Sequence, residues 1–512
     1  MRWLDTLARA IGYIPRRARR AAAFPGAQVG RLTSSWTTDP GAVNRWIRWE
    51  GRTLRARARS LARSDAYAAK FVSSVINNVG GPKPFTMRAR IRKPRGQLDT
   101  VVNKRMEAEW RKFCKAEECD VAGKMSMSAF HRAHLFQLAT DGEFITRIYP
   151  GEGRYGLRLQ NLDIERLDSD RNETLGNGRS IKCGIEMDRF GRPLAYYILK
   201  AHPGEQGLWG GMQPPRDTTR VPADQIIHFF IPHWPEQARG ITMLHAAMLR
   251  LWHLGGFEEA AVVNARVGAS KVAVIYSADG ANNETLATGA DSQGNLLDDT
   301  TPGQYWNLPD GKQLGSWNPS FPDQAVEPFI RACLRGAAAG LGVAYHSFAN
   351  DPSNVNYSTA RVALLEERDY WMTLQELYAE HVCSKIHAAW LAYGSLTKAV
   401  PPEWSDERFS TVEWQGKRWS WVDPMKETSA NVAAVDGKLT SRTRLLSEEG
   451  IDFEDILEEI AQENELADEL GVELTPPEPT TSSTAPGKQA PAKEPEEPDD
   501  GASASETSTA SD

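Results

Sequence analysis

The sequence predicts an α+β protein, and three observations carry that prediction. Apolar residues recur at helical spacing early in the chain and again after residue 357. Between Gly142 and Leu199 the pattern changes to short β-branched and aromatic runs broken by turn residues. Hydrophobic residues make up 41% of 512 positions, enough for real cores in two to four domains.

Residues 1–43 read as a basic arm in which Pro15, Pro25 and Pro40 interrupt any helix. From Arg45 the chain turns helical. Ser64 is the expected N-cap of a helix carrying Tyr67, Phe71, Val75 and Val79 four apart, and Gly80-Gly81 stops it. Further helices are expected over Leu98–Lys115 and Ser128–Thr140. Strands are expected over Phe144–Tyr149, Leu157–Leu159, Ile181–Met187, Ala195–Leu199 and Gln225–Ile231, with a hairpin turn over Asp188–Pro193. Helices follow over Met243–Val267 and Gln324–Leu341. Residues 277–322, rich in Gly, Asn, Asp and Pro, show little periodicity. The longest helical signal runs over Ser358–Tyr393, with Leu364, Trp371, Leu374, Tyr378, Val382, Ile386 and Trp390 along one face, on the order of 50 Å at 1.5 Å per residue. Helices over Pro424–Ala434 and Phe453–Leu470 precede a Pro-, Ser-, Thr- and Glu-rich acidic tail whose composition cannot bury a core.

Charge is unevenly placed. Residues 1–70 hold 15 Lys/Arg against 4 Asp/Glu, and residues 448–512 hold 20 Asp/Glu against 2 Lys. Such ends suit interaction arms. No apolar run reaches the length needed to span a bilayer, so a protein without a membrane partner is expected. Five cysteines without a CxxC pair fit a reducing compartment.

A search for chemistry gives little. No P-loop, GxSxG or HExxH motif occurs, and no cofactor is expected. His131 and His134 sit three apart, and His228 and His233 flank a strand end. Ordinary packing explains them more simply than metal binding. Asp141, Glu143, Asp163, Glu165 and Asp168 could serve a metal-dependent nuclease, but turn and strand starts are where solvated carboxylates normally fall.

One stretch is more specific. Val221–Gly240 reads VPADQIIHFFIPHWPEQARG, a strand and a loop closing on Gln237-Ala238-Arg239-Gly240 before a long helix. It is accompanied, in order, by Asn78-Val79-Gly80-Gly81, Trp110 with Cys119-Asp120, Asp141-Gly142-Glu143-Phe144, Leu159-Gln160, Asp163-Ile164-Glu165-Arg166-Leu167, Gly184-Ile185-Glu186, Gly191-Arg192-Pro193 with Tyr196-Tyr197, and Tyr357-Ser358-Thr359-Ala360-Arg361. Over roughly Asn44 to Trp390 this series resembles the lambda-type portal proteins of tailed bacteriophages.

The resemblance implies a fold of wing, stem, clip and crown regions that assembles as a ring, a dodecamer, at one capsid vertex of the virion. It implies passage of double-stranded DNA without sequence specificity during packaging and ejection. The partners implied are the terminase large subunit, major capsid and scaffold proteins, and a head-completion or adaptor protein. The regions map as a basic arm (1–43), wing (44–240), stem helix (241–270), clip (271–322), second stem helix (323–343), tunnel loop (344–357), long tunnel helix (358–394), wing and crown completion (395–470) and acidic tail (471–512). His346, Asn350, Asp351, Asn354 and Asn356 become candidates for contact with DNA in the channel. Glu366, Glu367 and Asp369 become channel-lining candidates, and Arg239, Trp252, Trp371 and Trp390 subunit-interface candidates. A metal-dependent phage nuclease or other DNA-processing enzyme is the alternative.

Overall fold

The computed structural model describes residues 31, 37, 39–82, 85–94, 96–205, 217–269, 325–353, 356–419, 424–448 and 453–472, with strand segments at 273–277, 289–290, 296–297 and 312–316. The chain divides into two units, 1–422 and 423–512.

The first unit begins with helix α1 (Val43–Ser64), whose buried line is Val43, Ile47, Gly51, Arg55, Ala58 and Leu61. Helix α2 (Ala66–Val75) follows after a single residue. Asp65, not Ser64, caps it, accepting from Ala68 N at 2.7 Å, while Ser64 closes α1. A shorter side chain one residue earlier cannot reach those amides because α1 still holds Ser64 in its last turn. A π-turn at Ile76–Gly80 ends α2, and Gly81 takes φ +71. Strand β1 (Thr86–Ala89) leads to helix α3 (Thr100–Phe113), the four-residue α4 (Ala116–Cys119), and α5 (Met127–Asp141), capped by Ser126.

The β-rich block forms two sheets. Strands β2 (Glu143–Pro150), β3 (Leu157–Leu162) and β9 (Ile226–Phe230) pair antiparallel with β2 in the centre. Strands β4 (Glu173–Thr174), β5 (Ser180–Lys182), β6 (Ile185–Met187), β7 (Pro193–Leu199) and β8 (Thr218–Pro222) form a five-stranded antiparallel sheet. The turn expected at Asp188–Pro193 joins β6 to β7, with Asp188 Oδ1 accepting from Phe190 N and Arg192 N, each at 2.8 Å.

Strand β2 is buried on both faces, and its alternation divides two cores. Phe144 and Ile148 enter the helical core with Ile227 and Phe229. Ile145 enters the smaller core with Ile226, Leu162, Ile185, Tyr196 and Val221, between the two sheets. The three-stranded sheet is therefore the middle layer, helices on one side and the second sheet on the other.

Helix α6 (Met248–Ala269) starts later than its sequence periodicity suggests, because Ile241–Ala247 is taken up by turns. Within residues 271–322, expected to form a clip, the backbone pairs β10 (Ala273–Ser277) with β13 (Lys312–Ser316), and β11 (Gly289–Ala290) with β12 (Leu296–Leu297). Strands β11, β12 and β13 lie where the sequence shows little periodicity. Helix α7 (Val326–Leu341) ends at Gly342 with φ +70. The expected irregular loop after it contains a short helix, α8 (Tyr345–Ala349).

Helix α9 (Tyr357–Tyr378), a π-turn (Ala379–Cys383) and helix α10 (Ser384–Leu396) run without a break, as the apolar spacing predicts. Their buried face fills the helical core: Trp371, Tyr378 and Trp390 are all at most 1% exposed. Trp390 packs among Trp110, Phe113, Tyr155, His387 and Trp404. Strand β14 (Val412–Gln415) returns to pair with β1. The second unit holds α11 (Pro424–Asp436), α12 (Arg442–Glu448) and α13 (Phe453–Leu470).

Candidate functional site

The Asp141-Gly142-Glu143-Phe144 and Gln237-Ala238-Arg239-Gly240 motifs, about a hundred residues apart in sequence, are two halves of one clasp. Helix α5 ends when Gly142 adopts φ +82 and its N–H donates back to Gln137 O and Leu138 O. The chain then enters β2 with Glu143 on the face toward the smaller core. Gly240 lies against this turn. A Cβ on Gly142 would come within 2.0 Å of the Ile241 carbonyl carbon, and one on Gly240 within 2.2 Å of Gly142 O. Backbone meets backbone here, so both positions require glycine.

Glu143 is fully buried and surrounded by donors. Arg239 Nε donates to both carboxylate oxygens at 2.9 and 2.8 Å, and Arg239 Nη2 lies 2.7 Å from Oε1. Gly240 N donates at 2.8 Å and His228 Nε2 at 3.0 Å. Arg55 Nη1 is 3.6 Å away. Burial pushes this carboxyl up, but the Arg239 charge and the His228 and Arg239 hydrogen bonds outweigh it and hold Glu143 below the usual carboxylate range. Burial keeps His228 below its ordinary value, against the pull of Glu143. Arg239 also donates to Ser169 Oγ at 2.9 Å and Cys183 O at 3.3 Å, tying the clasp to the second sheet. Gln237 braces the loop: its Oε1 accepts from His233 N and Trp234 N, and its Nε2 donates to Arg239 O at 2.7 Å. Asn44, at the start of α1, accepts from Ala238 N at 2.9 Å and donates to Glu236 O at 2.8 Å.

Helix α1 extends the pattern. Arg55 Nε donates to Glu165 at 2.7 Å. Arg59 forks onto Asp141 at 2.7 and 2.8 Å and onto Asp163 at 3.1 and 2.9 Å. Of the five carboxylates named for the nuclease alternative, Asp141, Glu143, Asp163 and Glu165 are thus each held by arginine, and Asp168 is buried beside them. Among the described residues no three His, Cys, Asp or Glu side chains gather to hold a metal ion. The arrangement locks helix to sheet. His131 and His134 have a packing role too: each Nδ1 lies 2.8 Å from Tyr378 Oη, and His134 Nε2 lies 2.7 Å from Thr146 Oγ1.

The model for "Phage portal protein, lambda family" matches residues 29–375. The chain belongs to the lambda family of phage portal proteins. Relatives of this portal chain include the probable portal protein of Halomonas phage phiHAP-1, 29% identical over 459 residues, covering 88% of this chain and 87% of the relative. Portal protein B of Escherichia phage lambda is 23% identical over 502 residues, covering 88% and 90%. Among solved structures, the neck of an empty GTA particle computed with C6 symmetry gives a TM-score of 0.43 at 12% identity, covering 82% of this chain and 97% of that one.

The sequence-derived sites of the portal chain divide sharply on burial. Arg239, Trp371 and Trp390, expected at a subunit interface, lie inside the subunit at 1% exposure or less, each enclosed by its own chain, and so are corrected to internal roles. Glu367, expected to line a channel, is buried: it accepts from Ser347 Oγ at 3.2 Å, Trp371 Nε1 at 3.2 Å and Ala344 N at 3.4 Å, fixing the start of α8 against α9. Trp252 is exposed on α6, as is Leu249. Glu366 and Asp369 are exposed on α9, joined at helical spacing by Glu376 and Glu380 on the same side.

Within residues 344–357, expected to form a tunnel loop, Asn350 takes φ +54 to end α8, and Asn356 Oδ1 caps α9 by accepting from Thr359 N at 3.0 Å. Asp351 accepts from the Ser353 hydroxyl, Tyr345 Oη and Ser353 N, which lower its carboxyl to about 2. His346 is half-buried on α8. Asn354 lies outside the described residues, as do residues 1–30, the tail from 473, and most of 270–324. The arginines of α1 and Asn44 are participants that sequence reasoning missed. Their signal was present: Arg55 and Arg59 stand four apart beside the apolar line of the helix, where a surface arginine would not fall.

Proposed function

We propose that copies of this portal chain close into a ring, twelve by the family resemblance, at one capsid vertex, and that double-stranded DNA passes through its centre during packaging and ejection. The observation that carries the channel assignment is the exposed acidic row of Glu366, Asp369 and Glu376 on α9 and Glu380 in the π-turn that continues it. A duplex that must slide is centred by repulsion and stalled by long-lived cation–phosphate contacts, so a lining helix suits carboxylates. Asn350 and Asn356, exposed between α8 and α9, offer neutral groups that touch DNA briefly while also holding the helix ends. Exposed Leu249 and Trp252 on α6 supply apolar surface for a neighbouring subunit. The paired strands at 273–277 and 312–316 lie between α6 and α7, where a clip would dock the terminase large subunit and later a head-completion protein. Capsid and scaffold contacts belong to the wing in this reading.

Negative-stain microscopy of the purified protein tests the assembly: rings with a central hole are expected, and monodisperse monomers at high concentration refute it. For the channel, changing Asn350 to Lys should add a salt-dependent retention of DNA and slow packaging. An unchanged packaging rate in low salt would remove the loop from the DNA path.

A further inference from the structure

Helix α1 carries seven arginines and one acidic residue, Glu50, over 22 residues. Two of the seven, Arg55 and Arg59, are committed to the carboxylates of the clasp. Arg45 is held by Asp39 at 3.4 Å, and Arg52 keeps a loose 3.6 Å approach to Glu165 with two-thirds of its side chain in solvent. Arg48, Arg57 and Arg63 are exposed and have no acidic partner among the described residues. At 100° per residue, Arg48, Arg52 and Arg63 lie along one edge of the exposed arc and Arg57 along the other. Thr53, Ala56 and Ser60 lie between them, all exposed. Trp49, 64% exposed, stands among them between the two cationic edges, with Arg45 over its ring at 4.7 Å.

We infer that the exposed arginine face of α1 is a second DNA-binding surface, outside the channel, which grips the phosphate backbone of duplex DNA without reading its sequence. The inference rests on the portal reading for the identity of the polyanion. It adds a static contact to a protein otherwise proposed to let DNA slide. Guanidinium forks match phosphate oxygens bidentately. Arg48 to Arg63 spans about 22 Å at 1.5 Å per residue, several times the phosphate spacing of about 3.4 Å along one strand, so cations along it meet more than one phosphate. The same cations would stall a moving duplex, which separates this face from the acidic row of α9.

The test uses assembled rings and a covalently closed, relaxed circular duplex, which cannot thread a ring and so reports outer surfaces only. The parent is expected to bind the circle with an affinity that falls steeply with salt. The R48Q/R57Q/R63Q variant, which spares Arg55 and Arg59, should bind at least tenfold more weakly at about 50 mM salt, with a slope of log K against log salt shallower by roughly 0.9 for each phosphate no longer neutralised. The R48K/R57K/R63K variant should retain most of the binding. Parental affinity and slope in the Gln variant overturn the inference, as does a parent ring that ignores the circle in low salt. A Gln variant with parental DNA binding but without incorporation into capsids gives the face to the shell protein and also overturns it. If the triple Gln variant forms no rings, the three single variants decide, and parental slopes in all three are fatal. Rings in the microscope stand apart from every one of these outcomes, so the portal reading and this inference fail separately.

Discussion

The Glu143–Arg239 pair is fully enclosed, so its two members depend on one another in a way no surface pair does. Removing either leaves a buried charge that water cannot reach. Arg239→Ala is expected to cost about 3–5 kcal/mol, read as a shift in denaturant midpoint; a change within experimental error would show that Glu143 finds other partners. The buried histidines make a separate prediction in pH. Burial lowers His387 to about 4 and His131 to about 3. Below the ordinary histidine value of 6.5 the unfolded chain takes up protons that the folded chain refuses. Stability therefore falls as pH drops from about 6.5 toward those lowered values. His387 sits among Trp110, Trp390 and Trp414, a site that accepts another aromatic ring. His387→Phe should make the pH dependence between about 6.5 and 4 shallower by up to roughly 1.4 kcal/mol per pH unit, measured by denaturation across that range. An unaltered slope would mean that His387 protonates freely in the folded state.

At the scale of elements, the clasp is a contact between two turns, and its glycines are the sensitive points. Gly142→Ala and Gly240→Ala should each abolish soluble expression, because the added Cβ meets main chain that cannot move aside. Gly176, with open space around the position a Cβ would take, serves as the control, and Gly176→Ala should melt with the parent. Equal behaviour of the three variants would show that the close approach relaxes easily. The π-turn after Tyr378 is held by a different device, a phenol shared between two histidines on α5. Tyr378→Phe leaves both ring nitrogens without that partner and should cost about 1–3 kcal/mol with the fold retained by circular dichroism. No loss of stability would mean that the imidazoles find partners elsewhere.

For the whole molecule, burial separates tryptophans that hold the subunit, such as Trp371, from those that face outward, such as Trp252. Trp371→Ala should remove about 3–5 kcal/mol and reduce soluble protein. Trp252→Ala should leave the thermal midpoint of the unassembled subunit unchanged and weaken ring formation, followed by light scattering after size exclusion. Intact rings at parental concentration in the Trp252 variant would take α6 out of the interface.

The sequence by itself determined the order and type of the main elements, because each rests on local physics. The apolar spacing of Leu364 to Trp390 can bury one face only as a helix, and Asp188 to Pro193 can only turn the chain. It also carried the family, through motifs spread from Asn78 to Arg361. Tertiary structure decided what those motifs are for. Asp141 to Phe144 and Gln237 to Gly240 are separately unremarkable runs, and only the fold sets Gly142 against Gly240 and Glu143 against Arg239. The same fold sorted equivalent-looking residues. Trp252 and Trp371 both sit on helices with apolar faces, and Glu366 and Glu367 are neighbours, yet one of each pair is exposed and the other enclosed. Periodicity gives the direction of a side chain relative to its own helix. Which direction is inside depends on segments far away in the chain, such as α1 with its arginines pressed onto the carboxylates of α5 and β2.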